Sequence, residues 1–125
     1  GIGLEAFPAR HPVQSAALRF TVAGTVVTFS SDTTWTEPLV AAAGDASLFV
    51  CEATYLRADQ ATLERNGHLT AGMAGRLAHA AGARRLLLCH LSYPEDAAQA
   101  LADAGESYDG RGPIEVASPG LSLEV

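Results

Sequence analysis

Two short runs of apolar residues without polar alternation, Ser47 to Cys51 and Leu86 to Cys89, constrain this chain more than any other feature. A strand with no polar side has no solvent-facing surface, so it belongs in the parallel part of a layered α/β structure between flanking helices. The stretch between the runs supplies a crossover helix. From Thr70 to Ala81 the apolar positions Met73, Leu77 and Ala81 recur at helical spacing, Thr70 can cap the start, and Gly82 supplies the stop.

The flanking segments extend this pattern. Residues 16–22 and 25–30 are β-branched and aromatic-rich and bracket Ala23-Gly24, which predicts an antiparallel hairpin. Thr36 can cap a short helix from Glu37 to Gly44, with Pro38 in its first turn. A third helix is expected over 94–104, ended by Gly105, and two last strands over 114–117 and 121–125 around Ser118-Pro119-Gly120. The order is a hairpin followed by alternating helix and strand, an α/β class with a mixed sheet.

Composition narrows what such a chain can do. With 48% apolar and 18% charged residues over 125 positions, it can bury a core and form one domain or one half of a larger one. A net charge of -6 with only 8 Lys+Arg gives no basic footprint, so nucleic acid is not an expected partner. No apolar run approaches the roughly 20 residues that a membrane span requires, so no membrane partner is expected. Cys51 and Cys89 lack the spacing of a compact metal motif and read as reduced thiols of a cytoplasmic protein. The chain opens Gly1-Ile2-Gly3 with neither a Met nor a secretory leader, the pattern expected of a piece of something longer.

Open α/β sheets place ligands beyond their strand ends, so polar residues there are the candidates for chemistry. Asp32, Glu52 and His90 each follow a predicted strand, His11 precedes the hairpin, and His68 sits just before the capped helix. Each has an ordinary explanation when taken singly. Asp32 can be a turn residue, Glu52 a strand-end ion-pair partner, and either histidine a hydrogen-bonded surface group. His79, inside the helix, reads as structural.

Taken in order, Phe29-Ser-Ser-Asp32-Thr33, Val50-Cys51-Glu52-Ala53-Thr54-Tyr55, Gly67-His68-Leu69-Thr70-Ala71 and Leu86-Leu-Leu-Cys-His90-Leu-Ser92 resemble the C-terminal half of metallo-β-lactamase-fold hydrolases. Within that superfamily they are similar to the branch of tRNA 3′-processing endonucleases and related phosphodiesterases. The resemblance implies half of a four-layer αβ/βα sandwich holding part of a two-metal site. It implies Asp32 as the carboxylate bridging two divalent ions, with His90 and His11 as further metal ligands. Zinc is expected, and manganese or iron suits the same donors. It also implies Glu52 and His68 as the pair that protonates the leaving group, and a hydroxide shared by the metals as nucleophile.

Departures from the family pattern refine these expectations. The usual glycine before the bridging aspartate is Ser31, which puts the backbone turn at that strand end in question. Only positions 12–31 separate His11 from Asp32, leaving no room for the tRNA-clamping arm of the endonucleases. A small phosphodiester such as a cyclic nucleotide is therefore the expected substrate. The signature His-x-His-x-Asp-His does not occur, so an N-terminal half, upstream or in a second chain, is expected as partner. Alternatives left open are a thioester or lactone hydrolase of the same fold and a non-catalytic binding module. A half-domain with a bare sheet face is expected to self-associate as a dimer or larger homo-oligomer.

Overall fold

The computed structural model describes all residues 1–125. Six strands form one sheet: β1 (Gly3–Pro8), β2 (Ala16–Val22), β3 (Thr25–Phe29), β4 (Leu48–Glu52), β5 (Leu86–Cys89) and β6 (Ile114–Val116). They lie side by side in chain order. The first three are antiparallel neighbours and the last four are parallel. Four helices connect them: α1 (Glu37–Ala42), α2 (Gln60–Asn66), α3 (Ala71–Ala81) and α4 (Ala97–Tyr108).

Local chemistry explains most boundaries. The β2–β3 hairpin turns through Ala23 and Gly24, both at positive φ, the geometry that matches strand twist in a two-residue turn. Thr36, Asp59 and Thr70 each accept a hydrogen bond from a backbone N–H in the first turn of α1, α2 and α3. Gly67 and Gly82 end α2 and α3 in the left-handed conformation. Four details differ from the sequence reading. The edge strand β1 and the short helix α2 are additional, no strand forms over 121–125, and α4 runs through Gly105 to Tyr108 after a 3-10 turn at Pro94–Asp96. A helical glycine costs about 1 kcal/mol against alanine, too little to end a helix whose Ala100, Ala104 and Tyr108 are buried.

Parallel strands added successively in one direction, each through a right-handed crossover, put their helices on one face of the sheet. On that face the guanidinium of Arg19 donates to the carbonyls of Ala42 (2.7 Å) and Gly44 (2.8 Å), and the Thr28 hydroxyl donates to Ala42 (2.8 Å). These bonds satisfy the C-terminal carbonyls of α1 and seat the helix on β2 and β3. The core lies between sheet and helices, around Phe49, Cys51, Leu77, Leu86 and Leu88. Helices α3 and α4 approach so closely that a Cβ on Gly75 would lie 2.3 Å from the carbonyl oxygen of Ala104.

Strand alternation turns Leu4, Phe20, Val22, Val27 and Phe29 to the other face. No helix covers it. Leu4 is 59% exposed, Val22 46% and Phe29 40%, and the rings of Phe20 and Phe29 meet edge to face at 5.8 Å. The parallel strands are thus flanked by helices on one side only, as expected of half an αβ/βα sandwich, whereas their apolar runs taken alone point to helices on both.

Tyr108, fully buried at the end of α4, donates its hydroxyl to the carbonyl of Ala83 at 2.5 Å. Burial raises its pKa, so the fold favours the neutral phenol. The contribution is therefore complete below pH 10, the ordinary phenol value, and is lost as pH rises through the higher folded value. Tyr108→Phe is expected to cost about 1 kcal/mol in urea unfolding at pH 7. It should also flatten the loss of stability measured above pH 10 relative to the parent chain.

Candidate metal and acid–base site

The strands β3, β4 and β5 run in parallel and end on one rim, which brings their following residues together. Asp32 leaves β3, Glu52 closes β4 and His90 follows β5, while His68 enters from the α2–α3 link. Donor atoms of these four residues all lie within 4.8 Å of one another. His11, on the β1–β2 connection, joins from the side with its Nε2 3.9 Å from Asp32 Oδ2. The structure thus gathers all five sequence candidates at one place, whereas His79 lies elsewhere, against the carbonyl of Tyr108.

Two of the strand-end residues occupy unusual backbone. Ser31 has φ 53° and His90 φ 57°, both in the left-handed region that non-glycine residues rarely enter. Ser31 thus holds a conformation that glycine adopts without strain. The turn is held from both sides, since Ser30 Oγ accepts from the N–H of Glu52 (2.9 Å) and Ser15 Oγ donates to the carbonyl of Asp32 (3.0 Å).

The two carboxylates have opposite environments. Glu52 is fully buried and accepts five hydrogen bonds. Its Oε1 receives the Thr33 N–H (3.1 Å) and His68 Nδ1 (2.7 Å), and its Oε2 receives the Leu69 N–H (3.0 Å) and both the N–H (3.2 Å) and hydroxyl (2.8 Å) of Thr54. An oxygen pair so fully engaged has no lone pair directed outward for a metal. Asp32 is 43% exposed, and no side-chain hydrogen bond occupies its oxygens. Its Oδ1 lies 3.6 Å from His90 Nδ1 and its Oδ2 3.9 Å from His11 Nε2.

Those separations are too long for hydrogen bonds, which fall at about 2.7–3.2 Å. The separation between Asp32 Oδ2 and His11 Nε2 suits two donors that share an ion at about 2.0–2.2 Å from each. The donor set of one exposed carboxylate between two imidazoles therefore fits a divalent ion, and Asp32, His11 and His90 are the residues able to hold one.

The imidazoles are fixed through their second nitrogens. The Nδ1–H of His68 donates to Glu52, which leaves Nε2 facing outward. Thr54 donates its hydroxyl proton to Glu52, so it accepts the Nδ1–H of His90 at 2.9 Å and leaves that ring's Nε2 open as well. Nδ1 of His11 lies 3.2 Å from both the N and O of Val13, which accommodates either tautomer. The ring of His68 stands between those of His11 and His90, at centroid distances of 5.2 and 5.3 Å.

Sequence reasoning missed two contributors. Thr54 links both imidazoles to Glu52, and only its position two residues beyond the strand-end acid hinted at a shared network. Gly67 packs under the strap that carries His11; a Cβ there would lie 2.6 Å from His11 Cα and 2.9 Å from the carbonyl oxygen of Arg10. The sequence shows it only as the residue that precedes His68. Burial raises both thiols, Cys89 to about 11, with the nearby Glu52 charge as the next cause, so neither offers a thiolate at neutral pH.

This combination of sheet, rim and donor set defines the metallo-β-lactamase fold. Residues 1–91 match the Beta-lactamase superfamily domain, and the chain belongs to that family. A ribonuclease Z of Myxococcus xanthus is 41% identical over 104 residues, covering 82% of this chain and 33% of its own length. One from Streptococcus pyogenes is 42% identical over 69 residues, 55% of this chain and 22% of that protein. Among solved structures, the metallo-beta-lactamase fold protein YhfI from Bacillus subtilis superposes with a TM-score of 0.86 at 25% identity, over 96% of this chain and 48% of that one. Human tRNase Z, short form, gives 0.74 at 21% identity, over 99% and 44%. The chain thus spans a third or less of the curated relatives and about half of the solved ones.

Replacing Thr54 by Val keeps the shape but leaves Glu52 and His90 short of a partner. Thr54→Val is expected to lower stability by about 1–3 kcal/mol in denaturant titration. Nitrogen-15 NMR should show the His90 ring losing its single tautomer; an unchanged ring would show that Thr54 does not orient it.

Proposed function

We propose that this chain furnishes the C-terminal half of a metal-dependent phosphodiester hydrolase, the rest of the fold supplying the remaining ligands. The observation that carries this reading is the division of labour between carboxylates: Asp32 is open between His11 and His90, while Glu52 is buried behind His68. In this reading Asp32, His11 and His90 are the residues that would hold the two divalent ions. Zinc suits imidazole and carboxylate donors, as manganese and iron do. When bound, such ions lower the pKa of water and offset charge on the phosphoryl oxygens.

The chain's own contribution to the reaction is a positioned proton. His68, held at Nδ1 by Glu52, presents Nε2–H to the departing ester oxygen when protonated. Glu52, bonded to Nδ1, keeps the ring from rotating. Cleavage of a poor leaving group needs this proton, whereas a phenolate of low pKa leaves without it.

The bare sheet face supports the incomplete-fold reading. Leu4, Val22 and Phe29 form an apolar surface of the kind that packs on a second sheet, and the solved relatives have about twice this chain's length. Without that second sheet, the same face favours self-association.

A small phosphodiester such as a cyclic nucleotide suits the balance of -6 and the 8 basic residues. RNA is the second reading, favoured by the ribonuclease Z name of the relatives.

Elemental analysis of the full-length protein is expected to show about two metals per fold, lost in Asp32→Ala. A metal-free complete fold would overturn the hydrolase reading in favour of a binding module. His68→Ala should retain the metal and lose about 10²- to 10⁴-fold in kcat on alkyl phosphodiesters. Its loss on p-nitrophenyl esters should be much smaller; equal losses on both would remove His68 as proton donor. Parallel assays with a cyclic nucleotide, a tRNA precursor and a thioester separate the substrate readings.

A further inference from the structure

The candidate site is flanked by two unlike cavities. On the His11 side, one of about 400 Å³ is walled by Gln14, Ser15, Ser31 and Asp32, with Val13 its sole apolar side chain. On the His90 side, one of about 540 Å³ opens between the ends of β5 and β6 and the start of α4. Its walls include Leu91, Pro94, Ala97, Val116, Ala117 and Pro119, and no Asp, Glu, Lys or Arg lines it. Both volumes lie within or near the roughly 300–1,000 Å³ of pockets that hold small ligands.

We propose that the cavity between His90, Pro94, Val116 and Pro119 is a subsite for an uncharged aromatic ring carried by the phosphoester substrate. The proposal rests on the hydrolase reading for its location, since His90 belongs both to the cavity and to the metal-ligand set. An uncharged wall disfavours a phosphate or a second anionic nucleotide, which would be desolvated there without a counter-charge. A flat ring instead meets apolar atoms on several sides and gains from leaving water. Pro94 and Pro119 each fix a stretch of backbone in the cavity wall, so little ordering is needed on binding. The polar cavity beyond Asp32 offers hydroxyl and amide groups to the opposite, hydrophilic end of the same substrate. The two flanks therefore impose a direction on a phosphoester lying across the site.

The test is binding, read without turnover. Amide chemical shifts of the full-length protein are followed during titration with phenyl phosphate and, separately, with methyl phosphate. Phenyl phosphate is expected to bind about tenfold more tightly and to move the amides of Leu91, Ala97, Val116 and Ala117, which methyl phosphate leaves in place. Ala117→Phe fills the cavity and should abolish that preference, and Ala97→Phe provides the same closure if the first variant folds poorly. Equal affinities for the two ligands, or ring-dependent shifts elsewhere, would overturn the subsite. Ring-dependent shifts in a protein without hydrolytic activity would keep the subsite and remove the hydrolase reading. Turnover with no ring preference would do the reverse.

Discussion

The arrangement of the rim depends on one buried carboxylate. Glu52 accepts hydrogen bonds from Thr33 beyond β3, Thr54 beyond β4, and His68 and Leu69 between α2 and α3. Three separate loops are thereby drawn to one pair of oxygens. A buried charge is tolerated only when so satisfied, since an unpaired carboxylate in the interior costs several kcal/mol. The same bonds that make burial acceptable set the Nδ1–H tautomer of His68 and, through Thr54, that of His90. Stability and site geometry share one set of interactions, so a change that loosens the loops also misaligns the imidazoles.

The second constraint is topological. A sheet whose parallel strands are added in sequence order receives its helices on one face and brings its strand ends to one rim. The rim can then collect Asp32, Glu52 and His90 with no long loop between strand and side chain. The cost is an apolar face left without helices, around Phe20 and Phe29. That face and the three-residue ligand set share a physical logic. On the proposed reading, each is completed by further structure of the same fold lying against it, so the half-length coverage of the solved relatives bears on chemistry as well as on packing.

The strongest local signals in the sequence carried through to the structure. The apolar runs at β4 and β5, the caps Thr36 and Thr70, the Ala23-Gly24 turn and the gathering of His11, Asp32, Glu52, His68 and His90 were all legible. The less visible elements had weak local patterns. Helix α2 buries only Leu63, so no periodicity marks it. Strand β1 is an edge strand, mostly exposed, whose pairing with β2 is a long-range event. Thr54 and Gly67 act through contacts set by tertiary structure: one through a hydroxyl shared by two imidazoles, the other through space left free for the His11 strap. Neither property is encoded in residue type or spacing. The tail 121–125 alternates like a strand, but the sheet ends at β6 and offers it no ladder.

Ser31 shows how a departure from a family pattern can leave geometry intact. A serine in the left-handed region is disfavoured by about 1–2 kcal/mol relative to ordinary backbone, a penalty glycine avoids. The conformation survives because its neighbours fix it: Ser30 bonds to Glu52 on one side, and Ser15 holds the carbonyl of Asp32 on the other. Relaxing Ser31 would break those bonds and turn Asp32 away from both imidazoles. His90, also left-handed, is held comparably by its Nδ1 bond to Thr54. Strain at two strand ends is therefore sustained by the network that Glu52 anchors, and it falls on the two residues that aim the exposed carboxylate and the outermost imidazole.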